Sequence, residues 1–133
     1  FYVDVEAIRD AVRRRSSFNV VHLETMFKVD VFVSRARPFD RAQFARRAAH
    51  TVATEPERMA YFASAEDTVL TKLEWYRQGG EQSERQWRDV LGVLVVQAGR
   101  LDMDYLRHWA QQLGVTDLLA RALREADREV ANH

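Results

Sequence analysis

Apolar and polar positions at the start of the chain change period twice. Val5, Ile8 and Val12 recur with helical spacing after Asp4, a good N-cap, and predict a helix over about Val5 to Arg15. From Phe18 to Leu23 and again from Met26 to Val33 the period drops to two, which predicts strands. The second of these reads Met-Phe-Lys-Val-Asp-Val-Phe-Val. Phe27, Val29, Val31 and Val33 form one apolar face, and Lys28 and Asp30 lie on the other, between Met26 and Phe32.

With Glu24-Thr25 as a two-residue turn, Leu23 pairs with Met26 and the register follows. Val21 then lies opposite Lys28, and Asn19 opposite Asp30, so Asn19, Lys28 and Asp30 share one face. A slip of one residue would scatter that group. Burying such charges without partners is costly. Two readings therefore stand side by side: a solvated sheet face, or a carboxylate presented on a strand for divalent-metal chemistry.

Arg35 to Pro38 is a polar connector. Asp40 with Gln43 makes a capping-box pattern before a helix over about Arg41 to Ala49. His50 to Thr54 and Arg58 to Ala63 are short candidate strands around Glu55-Pro56. From Ser64 onward the period is helical. Ser64 caps, with Asp67 reciprocal, and Val69, Leu70, Leu73 and Tyr76 form the stripe before Gly79-Gly80.

Ser83 and Gln86 open the next helix, which carries Trp87, Val90, Leu91, Leu94, Val95 and Ala98 and ends at Gly99. Val93 and Val96 make it apolar nearly all round, which predicts the central, most buried helix. Asp102 starts another, with Leu106, Trp109, Ala110 and Leu113 inward and Gly114 closing it; Thr116 caps the last. The fold class is α+β: a small, mostly antiparallel or mixed sheet over 1–63, then about four helices over 64–133, packed as a single structural unit.

Composition narrows the classes. Net charge is zero and 47% of the 133 residues are hydrophobic, so no global basic field argues for nucleic acid or an anionic membrane. No apolar run approaches the roughly 20 residues that span a bilayer. Cysteine is absent, which excludes disulfides and thiolate metal sites and fits a reducing, cytoplasmic setting. The chain begins at Phe1, and Phe1-Tyr2-Val3 reads as the end of a strand already under way. The expectation is the later part of a longer protein.

Only two lysines occur among twenty basic residues. Lys28 is one. Lys72 is the other, at the edge of the stripe beside Val69 and Tyr76: either its stem lies along the core, or its ammonium is aimed at a phosphate or carboxylate in a cleft between helix and sheet. Asp89, in the second turn of its helix, is favoured by the helix dipole or reaches a polar cleft. Arg13-Arg14-Arg15 reads as a solvated helix end, with phosphate binding as the alternative. His22, His50, His108 and His133 show no ligand spacing, and His22 reads as a hydrogen-bonded sheet residue. Trp75, Trp87 and Trp109 sit at helix-interface positions. No phosphate loop, nucleophile elbow or zinc signature is present.

Three stretches, Phe18 to Val33, Ser64 to Arg77 and Ser83 to Leu91, together resemble bacterial nucleotidyltransferase-like proteins of the polymerase-beta superfold, relatives of abortive-infection type toxins. The resemblance implies that Asp30 is the third metal-binding carboxylate. Less directly, it implies that Lys72, Arg77 and Asp89 match a lysine–arginine helix followed by an arginine–aspartate pair. The family's Gly-Ser turn and upstream Asp-x-Asp are missing; Asp102-Met103-Asp104 reads as a helix start. One carboxylate supplies too few oxygens for two Mg²⁺ ions, so the chain is expected to be inactive alone.

The family chemistry is Mg²⁺-dependent transfer of a nucleoside monophosphate from an NTP to an acceptor, with Lys28 or Lys72 neutralising phosphate. Arg77, by the same resemblance, and Asn19, by its place on the Lys28–Asp30 face, would contact the nucleotide. The acceptor stays open, RNA or protein, since neutral charge gives no support to RNA. The alternatives are a non-catalytic interaction module, antitoxin-like or homodimeric, and a Mg²⁺-dependent hydrolase or nuclease built on Asp30 and Lys28.

Overall fold

A computed structural model describes residues 2–132; the side chains of Ser17, Phe27, Asp30 and Phe32 lie outside what it describes. Among the described residues the chain is α+β, with six helices and two antiparallel two-stranded sheets in place of one small sheet. It divides into two compact units, 1–42 and 43–133. The expected division at 63/64 marks the change from hairpin to helices inside the second.

The first unit contains α1 (Val5–Arg14), β1 (Ser17–His22) and β2 (Phe27–Phe32). Asp4 caps α1, its carboxylate accepting the Glu6 and Ala7 amides at 3.0 and 3.1 Å. The inward face of α1 centres on buried Ala11, while Val5 and Val12 are more than half exposed, so the expected Val5–Ile8–Val12 stripe is not the packed one. Arg13 and Arg14 remain exposed beside Asp10, as a solvated helix end would.

β1 and β2 pair as the alternation predicts: Asn19 opposite Asp30, Val21 opposite Lys28, Val20 opposite Val29. The connection is four residues, Leu23 to Met26, and Met26 takes a positive φ of 57°. His22 fixes this turn: its Nδ1 lies 2.9 Å from the Thr25 hydroxyl and accepts the Thr25 amide at 3.3 Å. Tyr2 adds one antiparallel bridge to Val21; Phe1, the first residue of the expected strand end, falls outside the described residues.

Helix α2 (Pro38–Arg46) starts three residues earlier than its capping pattern suggests. Proline suits the first helical position because its missing N–H would have no partner there. Asp40 is therefore inside the first turn and reaches back to the Arg37 amide at 2.9 Å, the N3 half of a capping box. Burial raises the Asp40 pKa, but the Arg37 hydrogen bonds and charge outweigh it and leave the carboxyl below its usual range.

The second unit holds the hairpin β3 (Ala48–Thr54) and β4 (Glu57–Phe62), then α3 (Ala65–Gln78), α4 (Glu84–Val96), α5 (Met103–Leu113) and α6 (Thr116–Ala131). Ser64, Ser83 and Asp102 cap α3, α4 and α5 as their spacing predicts. Thr116 does not cap α6; it is already its first residue, and buried Val115 precedes it without a side-chain cap. The central helix is α3, packed against α4, α5 and α6. Helix α4 buries Val90, Leu91 and Leu94 but leaves Val96 72% exposed. Its all-round hydrophobicity does not place it at the centre, because burial needs a covering neighbour on each face.

Candidate functional site

The sequence-predicted site residues fall in both units. In the first, Asn19 and Lys28 are exposed on the hairpin, and the register places Asp30 across from Asn19. This matches a solvated sheet face for Asn19 and Lys28. The expectation for the Asp30 carboxylate falls outside the described side chains.

In the second unit, two predicted residues meet. Lys72 of α3 is only 11% exposed, and its ammonium lies 3.1 Å from the Asp89 carboxylate and 3.4 Å from the Gln86 amide oxygen, both on α4. The side chain is largely covered and its head is held by α4, as the packed-lysine reading expects; the cleft it borders lies between two helices, not between helix and sheet. Arg88, Gly92, Val93, Val96 and Gln97 complete an open groove of about 460 Å³ with Lys72 and Asp89. Gly92 is notable there. A Cβ at this position would meet nothing within 4 Å, so no internal packing calls for glycine, and the α4 backbone is bare to an approaching group.

Arg77 is engaged elsewhere. Its guanidinium donates to Asp117 at 2.9 and 2.5 Å and to the Gly114 carbonyl, tying the end of α3 to the α5–α6 turn. Gly114 makes that turn with a φ of 72°. Asp117 is held below its ordinary pKa chiefly by the Arg77 hydrogen bonds. This geometry gives Arg77 a clamping role and does not bring it to the Lys72–Asp89 groove.

Trp87 belongs to the helix interface, as its position suggests. Its indole donates to Glu125 at 2.6 Å, it lies against Tyr76 at 5.1 Å, and the Arg121 guanidinium stacks over it at 3.9 Å. This cluster joins α3, α4 and α6.

A larger polar cluster escaped the sequence reading. Asp67 has no exposure, yet accepts from the Tyr105 hydroxyl at 2.5 Å and the Ser64 hydroxyl at 2.8 Å. Arg46 reaches Glu66 at 3.2 Å and stacks over the Tyr105 ring at 3.8 Å. Glu66 in turn accepts the Asp102 amide at 3.2 Å. Burial raises the Asp67 pKa against the opposing pull of Tyr105, Ser64 and Arg46; burial and Asp67 raise that of Tyr105. The Ser64–Asp67 capping box was the only local signal. Arg46 and Tyr105 lie 20 and 38 residues from their partners, beyond any periodicity argument.

Magnesium chemistry needs several converging oxygen ligands. Among the described residues no three His, Asp or Glu side chains converge in that way. Asp89 faces an ammonium, which already supplies the positive charge beside it. The described residues therefore do not fit a magnesium pair, and no step is derived through one. No family model matches the chain, and neither a curated protein nor a solved structure does so. No helix among the described residues is long and apolar enough to cross a membrane.

Proposed function

We propose that the chain is a nucleotidyltransferase-like protein whose α3–α4 groove binds the phosphates of a nucleoside triphosphate. The observation that carries this reading is Lys72, nearly buried and aimed by Asp89 and Gln86 to the rim of an open groove that also holds Arg88. Two cations are suited to a polyphosphate. Bare backbone at Gly92 and exposed Val96 offer a flat apolar surface for a base. The Asn19–Asp30 and Val21–Lys28 register supports the same ancestry. The acceptor, RNA or protein, is left open.

The sign of the Asp89 effect makes the reading testable. Asp89 competes with phosphate for Lys72, so Asp89→Asn should tighten triphosphate binding, while Lys72→Ala and Arg88→Ala should each weaken it by about tenfold, the loss of one charge-assisted contact. Calorimetric titration with ATP, GTP, CTP and UTP, with and without Mg²⁺, reads all three. A chain that binds none of the four at millimolar concentration ends the proposal.

The second reading is a non-catalytic interaction module. What favours it is the apolar surface left open on β4, where Met59 and Tyr61 are each more than half exposed.

A further inference from the structure

The β3–β4 hairpin has almost no burial. Every residue of β3 is exposed, and in β4 only Ala60 is half-buried. A two-stranded sheet on its own is marginal in water; further strands or packing against a helix are needed for independent stability.

The two edges of this hairpin differ. β3 is interrupted by a bulge at Val52, where the register shifts between Thr51 and Ala53. β4 runs without a bulge, and Glu57 to Phe62 contains neither lysine nor proline. Bulges, prolines and charged side chains are the usual protections of a free edge; β4 has no bulge or proline, and its two charges, Glu57 and Arg58, are confined to its first two positions. Among the described residues, no β4 backbone group bonds outside the hairpin. Met59, Tyr61 and Phe62 are 55, 65 and 44% exposed on this one strand. Tyr61 is also held in place, because the Arg47 guanidinium lies 4.6 Å from its ring and 3.7 Å from that of Phe44.

We propose that β4 is a homodimerisation edge: two copies of the chain pair β4 antiparallel about a two-fold axis at Ala60, giving a four-stranded sheet. A two-fold axis perpendicular to a sheet keeps each side chain on its own face, so the axis passes through a residue position. With Ala60 on the axis, Met59 meets the partner subunit's Tyr61 and Arg58 meets the partner subunit's Phe62. The first is a thioether–aromatic pair, the second cation–π. Centring on Met59 instead sets Glu57 against the partner subunit's Tyr61 and loses both.

The contact surface is Met59, Tyr61 and Phe62, all substantially exposed, with Arg58 and the open strand edge, which places the association at the weak end of specific interfaces. A second copy is favoured over a foreign strand because one edge supplies both halves of each pair.

Sedimentation equilibrium of the full chain from about 10 µM to 1 mM, the range for an interface of this size, should show a monomer–dimer equilibrium. Met59→Lys sits on an exposed position and should weaken it at least about tenfold, with helical circular dichroism unchanged. The chain has no cysteine, so single cysteines report the register. Ala60→Cys should cross-link between copies under mild oxidation; Glu57→Cys, about 20 Å from its own copy by strand rise, should not. A monomer across the whole range overturns the proposal. So does association unchanged by Met59→Lys, or Glu57→Cys cross-linking as readily as Ala60→Cys.

Discussion

The helices α3–α6 and the β3–β4 hairpin belong to one compact unit but are stabilised in different ways. Val69, Leu70, Leu73, Val90 and Leu106 have no exposure, and beside them the fully buried Asp67 is held by the Tyr105 and Ser64 hydroxyls. In the hairpin, local contacts do the ordering: Thr51 donates to the Met59 sulfur, His50 lies against Phe62, and Arg47 stacks on Tyr61. Hydrophobic burial stabilises by about 25 cal/mol per Å² removed from water. The bundle collects that term in full and the hairpin hardly at all, so order in the hairpin depends on cross-strand pairs and on whatever covers its edge.

The sharpest test of this contrast is a pair of truncations. Leu73→Ala leaves a cavity in the bundle and should cost about 2–5 kcal/mol in denaturant unfolding. Tyr61→Ala in the dilute monomer should cost no more than about 0.5 kcal/mol, as for surface substitutions generally. Equal losses would mean that the hairpin is part of the core.

Next comes the polar network. Tyr105→Phe removes a donor to a fully buried carboxylate and should cost about 1–3 kcal/mol. Its pH dependence has a definite sign. The folded pKa of Asp67 is raised, so the stability it contributes is present below the ordinary value of 3.8 and is lost as pH rises through the folded value. Tyr105→Phe, by withdrawing a hydrogen bond from the ionised form, should move that loss to higher pH. Asp40 has the opposite sign: its depressed pKa gives stability that is lost as pH falls below its ordinary range. Denaturation series across acidic pH, with Asp67→Asn and Asp40→Asn as references, separate the two.

The smallest effect belongs to Thr71, whose buried hydroxyl on α3 has no hydrogen-bond partner among the described residues. Thr71→Val should be neutral or stabilising by up to about 1 kcal/mol, because desolvating an unpaired hydroxyl is unfavourable. A clear loss of stability would show that the hydroxyl has a role in the fold.

Much was legible along the chain. Period-two alternation fixed the Asn19–Asp30 register, since a slip would turn apolar side chains to water. Caps at Asp4, Ser64, Ser83 and Asp102 were visible because a cap is a contact over two or three residues. The Lys72–Asp89 pair was half legible. Each residue stood out by type and helix face, but nothing in either helix said that one faced the other across 17 residues.

Sequence alone therefore determined what is local: which segments are helix or strand, the starts marked by a side-chain cap at Asp4, Ser64, Ser83 and Asp102, and which strand residues share a face. Backbone geometry and side-chain periodicity act over a few residues and leave their mark there. Tertiary structure decided the rest: that α3 and not the more uniformly apolar α4 is central, that Arg77 clamps a turn, and that Tyr105 bonds Asp67 while Arg46 bonds the adjacent Glu66. Those outcomes depend on which faces are covered by which neighbours, a property of the packed chain that no single segment carries.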